Sequence, residues 1–224
     1  MHASPHPTRH PSPAHHVPLD DDRDRLRHPD RFLDFAGVRP GQVVLEIGGG
    51  DGYTAMHVAK RTGPTGSVVA VNPPVWHDFM QPHLDRRQAA GPLPGVEFVE
   101  RRFDDPIPPG HPPLDLVLCV LIYHDILYLD VDRAQMNRRL YEALRPGGRF
   151  LVIDHAAQDT GSVAVGGTLH RIGRNVVIEE LTAAGFELVA ESDVFRMPTD
   201  PKTGLAWTRP QPRTDRFVLL FERS

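Results

Sequence analysis

Val43-Val-Leu-Glu-Ile-Gly-Gly-Gly-Asp-Gly52 is the stretch of sequence that decides the fold of this chain. Its first five residues form a largely apolar run that is typical of a buried parallel strand. Gly48, Gly50 and Gly52 then remove the Cβ atom at alternate positions, which lets backbone approach a ligand closely before a helix begins near Tyr53. The stretch therefore predicts a strand, a ligand-binding glycine turn and a helix N-terminus. A tight turn without a ligand is the alternative interpretation.

The spacing of the acidic residue and the glycines indicates which ligand this turn suits. It reads Glu46-x-Gly48-x-Gly50-x-Gly52, whereas the dinucleotide fingerprint is G-x-G-x-x-G with a pyrophosphate over the helix N-terminus. A carboxylate beside the turn suits a cationic or hydroxyl-rich ligand better than a phosphate. The spacing resembles the first motif of the class I S-adenosylmethionine-dependent methyltransferases, E/D-x-G-x-G-x-G. The resemblance extends from about Asp24 onward.

The resemblance implies both a fold and a cofactor. The implied fold is an α/β, Rossmann-like, seven-stranded and mostly parallel sheet with an antiparallel last strand and helices on both faces. A second landmark of the family is the L-x-P-G-G turn at residues 144–148. The implied cofactor is S-adenosyl-L-methionine, and the residues implied to bind it at the turn are Glu46, Gly48, Gly50, Asp51 and Gly52.

Length and composition limit the class of protein. The 224 residues are enough for one α/β domain with a full core. A net charge of −4 provides no basic field for nucleic acid or an anionic membrane, which favours a small-molecule or peptide substrate; we expect a small-molecule acceptor as the partner. The single cysteine, Cys119, cannot form an internal disulfide, and no apolar run approaches the ~18 residues of a membrane-spanning helix. We expect a cytoplasmic protein, with a homodimer as one candidate for its oligomeric state.

Residues 1–22 are rich in histidine and proline and have almost nothing apolar to bury, which predicts a disordered leader before a single domain of residues 23–224. We expect a solvated tail rather than a metal chelator, although the leader has five histidines that could bind a metal: His2, His6, His10, His15 and His16. Order should begin near Asp24, where Pro29 suits the first turn of a helix that Gly37 ends. We expect this helix to pack beside the cofactor site as a lid.

Three further residues are expected at the cofactor. Asn72 ends the second predicted strand, about 20 residues beyond the glycine turn, where a doubly wound fold places the residue that binds a ribose. The family uses Asp or Glu there, and Asn72 can offer only a weaker, uncharged acceptor. Asp104 and Asp105 follow the third strand, where the resemblance implies a carboxylate that holds the adenine amine. The alternatives are a Pro-Pro turn at Asn72 and solvated loop carboxylates at the two aspartates.

A cluster of polar residues follows the strongest buried strand, Leu114 to Leu121. Because the carboxyl ends of parallel strands carry the chemistry of such folds, we expect Tyr123, His124 and Asp125 to be catalytic. His124 is the first-choice general base, since an imidazole titrates near neutrality and Asp125 or Tyr123 could fix its tautomer. Tyr123 is also a candidate for binding the acceptor.

The next strand end contributes further candidates. Asp154 and His155 end the fifth strand, and a long glycine-bearing loop then carries His170 and Arg171. His155 and His170 are second-choice bases. Arg171 could bind an acceptor carboxylate through its planar guanidinium, or could anchor the loop.

These residues predict a methyltransferase that moves a methyl group from S-adenosylmethionine to O or N of a small molecule, with deprotonation by histidine. They also narrow the resemblance to a bacterial group of predicted methyltransferases whose substrates are undefined. One alternative is a protein that binds the cofactor without methyl transfer. Another is a metal-dependent O-methyltransferase, although no pair has a dedicated spacing such as H-x-x-x-H, so no metal is predicted. The residues weighed as its ligands are His124, Asp125, Asp154, His155 and His170.

Overall fold

The computed structural model describes residues 20–91, 93–158, 166–206 and 213–224. Helices and strands alternate along most of this part of the chain. The helices are α1 (Asp20–Arg27), α2 (Pro29–Ala36), α3 (Tyr53–Thr62), α4 (His77–Ala90), α5 (Tyr123–Ile126), α6 (Arg133–Ala143), α7 (Gly166–Leu169) and α8 (Arg174–Ala183). The strands are β1 (Val43–Ile47), β2 (Ser67–Asn72), β3 (Val96–Glu100), β4 (Leu114–Val120), β5 (Leu144–His155), β6 (Glu187–Ser192) and β7 (Arg216–Glu222).

The seven strands form one sheet in the order β3-β2-β1-β4-β5-β7-β6. The pairs from β3 to β5 are all parallel, whereas β7 runs antiparallel to both β5 and β6. This confirms the predicted Rossmann-like sheet with an antiparallel last strand. The strand order reverses between β1 and β4, and ligands of such sheets bind beyond the carboxyl ends of the strands at that point.

Alternation of side chains along the strands divides the core between the two faces of the sheet. On β1, Leu45 and Ile47 belong to the cluster that also contains residues of α6 and α8, while Val44 packs in the cluster with α2 and α3. Both faces of β1 and β4 are covered, which explains why each reads as a nearly continuous apolar run. Among the helices that the structure describes, none is long and apolar enough to cross a bilayer.

Two helices precede the first strand, and the predicted helix with Pro29 in its first turn and Gly37 at its end is α2. His28 adopts a left-handed conformation with φ of 43°, and it separates α1 from α2. The physical reason is Pro29, whose ring disfavours the helical conformation at the residue before it. Helix α1 begins at Asp20, so residues 20–22 of the predicted leader are helical, while residues 1–19 lie outside the described residues.

Candidate functional site

The glycine turn leaves β1 at the switch point and leads directly into α3. Gly48, Gly50 and Gly52 have φ values of 70°, 57° and 83°, a region that side chains with a Cβ atom rarely adopt. Packing also requires glycine here, because a Cβ at Gly48 would lie 2.5 Å from the side chain of Ile122. At Gly52 it would lie 2.6 Å from the ring of Phe98. The alternating glycines are therefore required by the conformation of the turn and by its contacts.

Glu46 is a buried carboxyl group directly before the turn, with only 2% of its surface exposed. Burial raises the pKa of Glu46 to about 8, despite a hydrogen bond from Thr54. Its Oε2 atom has no hydrogen-bond partner among the described residues. A buried polar atom without a partner is costly, so a ligand that brings a hydrogen-bond donor or a positive charge would be stabilised here.

Asp51, within the turn, is paired with two arginines from different helices. Its Oδ2 atom lies 2.6 Å from Arg23 of α1 and 2.9 Å from Arg87 of α4. Burial alone would raise the pKa of Asp51, but the two guanidinium groups outweigh burial and lower it to about 2. The guanidinium of Arg23 also lies 4.1 Å from the ring centre of Tyr53. Helix α1 therefore packs on the glycine turn, and a lid formed by the helix that Gly37 ends stays a prediction.

Asn72 is oriented toward the turn. Its side-chain oxygen accepts the Gly50 N–H at 2.9 Å, and its side-chain nitrogen donates to the Gly50 carbonyl at 3.0 Å. The same residue lines a cleft of about 180 Å³ together with Trp76, Met80 and Phe98. Asn72 thus braces the turn from the edge of a cleft, and its contact with a ribose stays a prediction.

Asp104 and Asp105 lie on the loop after β3, each beside an arginine of the same loop. Asp104 accepts two hydrogen bonds from Arg102, at 2.9 and 2.7 Å, and Asp105 pairs with Arg101. The hydrogen bonds from Arg102 lower the pKa of Asp104, and they outweigh burial, which acts in the opposite direction. Binding of the adenine amine by either carboxylate stays a prediction.

The three predicted histidines meet at the carboxyl ends of β4 and β5. The ring centre of His124 lies 5.7 Å from that of His155 and 5.5 Å from that of His170. Asp125 joins two of them, because its Oδ1 atom lies 3.1 Å from His124 Nε2 and 3.0 Å from His170 Nδ1. Asp154 holds His124 from the other side, with 2.6 Å between Oδ1 and Nδ1. The sequence thus predicted a cluster that the fold assembles from two strand ends and a loop.

The environment separates the protonation states of these histidines. Burial would lower the pKa of His124, but Asp154 and Asp125 outweigh burial and raise it to about 10. Burial, followed by the positive charges of Arg216 and His124, lowers the pKa of His155 well below its ordinary value. At neutral pH His124 is therefore a cation and His155 is neutral. A general base needs a neutral ring, which in this state His155 provides.

Tyr123 and Arg171 have structural partners. The Tyr123 hydroxyl donates to Glu180 at 2.8 Å and accepts from Asn137 at 2.8 Å, and no contact with the three histidines is found in the described part of the chain. Arg171 is 2% exposed and pairs with Asp200 at 2.8 Å. It thus anchors its loop, the alternative that the sequence left open. Contacts of Tyr123 or Arg171 with an acceptor stay predictions.

Two arginines at the site were missed from the sequence. Arg216 begins β7 and lies opposite His155 in the antiparallel register, and Arg27 ends α1. Burial lowers the pKa of each to about 10. Neither forms an ion pair with a carboxylate among the described residues; Arg216 has a long hydrogen bond to Thr214, 3.4 Å. Knowledge of how β7 pairs with β5 would have placed Arg216 beside His155, but no local sequence pattern determines that pairing.

Comparison with known proteins gives matches in sequence and in fold. Residues 44–148 match the profile of a family described as a methyltransferase domain. The ubiquinone/menaquinone biosynthesis C-methyltransferase UbiE of Pseudomonas entomophila (strain L48) is 30% identical over 123 residues, which are 54% of this chain and 45% of that protein. The chain therefore spans less than half the length of this relative.

Two solved structures show the same fold. A SAM dependent methyltransferase from Aquifex aeolicus has a TM-score of 0.68 at 18% identity, covering 91% of this chain and 93% of that one. The cyclase SpnF has a TM-score of 0.60 at 17% identity, covering 88% of this chain and 80% of that one. At such identities the likeness concerns the fold.

The cofactor of this family fits the residues that are present. S-adenosylmethionine carries hydroxyl groups, an ammonium group and a sulfonium charge, and the unpartnered Glu46 oxygen beside the Cβ-free turn suits such a ligand. The match over residues 44–148 begins in β1 and includes this turn. The profile, the fold and the turn agree, and together they support a class I S-adenosylmethionine-dependent methyltransferase.

Proposed function

We propose that the protein transfers a methyl group from S-adenosylmethionine to an oxygen or nitrogen atom of a small-molecule acceptor. The observation that carries the proposal is the unpartnered Glu46 carboxyl oxygen beside the Glu46-x-Gly48-x-Gly50-x-Gly52 turn. When bound, the cofactor supplies a methyl group that the sulfonium has already activated. The protein then has to align the acceptor and remove its proton, and alignment alone can contribute about 7–11 kcal/mol.

The cofactor side of the site is prepared for binding and for excluding water. The bonds from Asn72 to Gly50 hold the turn in shape, and α1 covers it through the pair of Arg23 with Asp51. A covered site strengthens electrostatic interactions because water is removed from it. We expect the positive charge of the cofactor to lie on the side of Glu46.

The acceptor side contains the neutral imidazole of His155 beside the positive charges of Arg216 and His124. We propose that an acceptor O–H or N–H gives its proton to the cluster, where His155 is the neutral ring and His124 the charged one. The guanidinium of Arg216, 7% exposed, would stabilise the developing anion. In this state the two ring nitrogens of His124 face Asp154 and Asp125, so the ring acts on the acceptor through its positive charge.

Methyl transfer to carbon is a second candidate. The relative from Pseudomonas entomophila is named as a C-methyltransferase, and its aligned region covers 54% of this chain. Deprotonating a phenol or an enol also activates the adjacent carbon, so the same cluster could serve that reaction. Binding without methyl transfer stays open as well, because the cyclase SpnF shares the fold.

Calorimetric titration of the purified, metal-stripped protein with S-adenosylmethionine and S-adenosylhomocysteine tests the cofactor. We expect micromolar binding of both. Glu46→Gln should weaken binding at least tenfold, whereas Glu187→Gln, on an exposed position of β6, should not change it. Absence of binding to the unmodified protein would overturn the proposal.

Turnover with a panel of phenols, enols, alcohols and amines tests the reaction. Release of S-adenosylhomocysteine that depends on an acceptor would support methyl transfer. The ¹³C chemical shift of a labelled methyl group in the product then separates O, N and C transfer. Tight binding of the cofactor with no release for any acceptor of the panel would favour the non-methylating alternative.

A further inference from the structure

We propose that His124, Asp125 and His170 bind one divalent transition-metal ion, which holds the acceptor through its oxygen atoms. The binding of the ion rests only on these three residues. Its use in catalysis rests on the proposed function. The class of acceptor that follows is a small molecule with two adjacent oxygen donors, such as a catechol or a hydroxyketone.

The ligand atoms already converge. One donor atom from each of the three residues lies within 4.8 Å of the other two. Asp125 Oδ1 is 3.1 Å from His124 Nε2 and 3.0 Å from His170 Nδ1. Metal–nitrogen and metal–oxygen bonds are about 2.0–2.2 Å long, so two ligands of one ion lie about 3 Å apart. The distances in the cluster therefore need little change to accept an ion.

The ring of His124 has the support that metal-binding histidines usually have. Asp154, which is fully buried, lies 2.6 Å from its Nδ1 and accepts its backbone N–H at 2.8 Å. These two contacts fix the ring so that Nε2 points toward Asp125. A carboxylate behind a histidine fixes the tautomer and increases the basicity of the nitrogen that binds the metal. Asp154 would thus act as a positioning residue.

The backbone of His170 provides an independent observation. This residue has φ of 51°, a conformation that is uncommon for residues other than glycine. The next residue, Arg171, is tied to Asp200 and to the carbonyl of Ala156, so the fold holds this conformation in place. Strained residues that neighbours hold in place are frequent at functional sites. Here the left-handed conformation places the His170 imidazole beside Asp125.

The chemistry of the ligands indicates the kind of ion. Two imidazoles and one carboxylate suit Zn²⁺, Fe²⁺, Co²⁺ or Ni²⁺, whereas Mg²⁺ and Ca²⁺ prefer oxygen ligands. The carboxylates of Asp125 and Asp154 provide the two negative charges that a divalent ion would balance. Three protein ligands leave coordination positions open, which is the arrangement of catalytic rather than structural sites. An acceptor with two neighbouring oxygens would fill them.

Titration with Co²⁺ tests the site without any need for turnover, because bound Co²⁺ absorbs visible light with an intensity that depends on its coordination. The full chain is used, stripped with a chelator and with the five leader histidines (His2, His6, His10, His15 and His16) changed to serine. We expect one ion per chain with a micromolar or lower Kd, and competition by Zn²⁺.

Matched variants locate the ion. Asp125→Asn and His170→Ala should each weaken Co²⁺ binding at least a hundredfold, and His124→Ala should do the same if it folds. Asp125→Asn keeps the shape of the side chain, so the test does not depend on a variant that loses its fold. His77→Ala changes a histidine that pairs with Glu100 outside the cluster, and it should leave binding unchanged.

The outcomes separate this site from the proposed function. No Co²⁺ binding in the chain without leader histidines, or binding that Asp125→Asn leaves unchanged, would overturn the metal site while cofactor binding remained. The three groups would then form a metal-free hydrogen-bonded network. Metal binding together with a failure to bind S-adenosylmethionine would support the site and overturn the proposed function instead.

Discussion

Asp154 accepts a hydrogen bond from the backbone N–H of His124 at 2.8 Å, and its other oxygen lies 2.6 Å from the Nδ1 atom of the same residue. The pair joins the end of β5 to the start of α5. The Asp154 side chain has no exposed surface, so bulk water does not reach this carboxylate. The position of the histidine ring therefore depends on one buried carboxylate.

Removing this carboxylate should destabilise the protein strongly. Loss of one partner of a buried ion pair leaves the other charge without compensation, so we expect Asp154→Ala to lower the free energy of unfolding by about 3–5 kcal/mol. Urea denaturation followed by circular dichroism measures this. Asp193→Ala, at an aspartate with 93% of its side chain exposed, is the control. A loss below about 1 kcal/mol at Asp154 would contradict the described pair.

Glu46 should make stability depend on pH. Burial raises its pKa from 4.5 to about 8, so the folded state favours the protonated carboxyl. The contribution of the protonated Glu46 to the free energy of unfolding is complete below pH 4.5 and is lost as the pH rises through about 8. Between these values it falls by about 1.4 kcal/mol per pH unit. Urea denaturation without cofactor should show this slope as a difference between the unmodified protein and Glu46→Gln; parallel curves would show that Glu46 titrates normally.

Gly48 and Ile122 should be coupled. A Cβ at Gly48 would lie 2.5 Å from Ile122, so Gly48→Ala should cost about 1–3 kcal/mol through overpacking. The double variant with Ile122→Ala should lose less than the sum of the two single variants, as thermal denaturation can measure. Gly204→Ala, where an added Cβ has open space, is the matched control. Strict additivity would show that the clash is not the cause.

Asn72→Asp distinguishes bracing of the turn from binding of a ribose. An aspartate could still accept the Gly50 N–H, but it would place a negative charge against the Gly50 carbonyl. We expect the affinity for S-adenosylmethionine to fall by about tenfold, in line with one unsatisfied polar contact. Gln88→Glu, the same chemical change on an exposed position of α4, controls for charge. Equal or tighter binding in calorimetry would favour the ribose contact.

Removing the base His155 or the neighbouring cation His124, in His155→Ala or His124→Ala, should lower turnover by up to about 10²–10⁴-fold and leave the affinity for the cofactor nearly unchanged. The reason is that the cluster lies beyond β4 and β5, whereas the glycine turn follows β1. The measurement uses an acceptor found in the panel, with His155→Ala in parallel. Unchanged turnover in one of the two variants would remove that histidine from the mechanism.

The fold could be predicted because its central strands carry a strong local signal. The run from Leu114 to Val120 is buried on both faces of the sheet. The glycine turn marks the end of β1, where the strand order reverses. The antiparallel last strand came only from the family resemblance. Its register, which brings Arg216 opposite His155, depends on tertiary packing that no local pattern contains.

Side-chain directions in the cluster were harder to predict than its location. Tyr123, His124 and Asp125 are consecutive, but successive residues of a helical turn point in different directions. Tyr123 therefore contacts Asn137 and Glu180 in the core, while the other two residues meet His170. Arg171 was placed in the correct loop, but its partner Asp200 lies 29 residues away and could not be identified from sequence.

The shared carboxylate of Asp51 has a consequence for how ligands come and go. Lifting α1 breaks the contact with Arg23, yet Arg87 on α4 would continue to neutralise the same oxygen. Opening the cover therefore never leaves a bare buried charge, which is the step that would make such a motion slow. We expect release of the demethylated cofactor to need the movement of α1 alone. Arg87 would keep its ion pair with Asp51 and so hold the glycine turn in place during this movement.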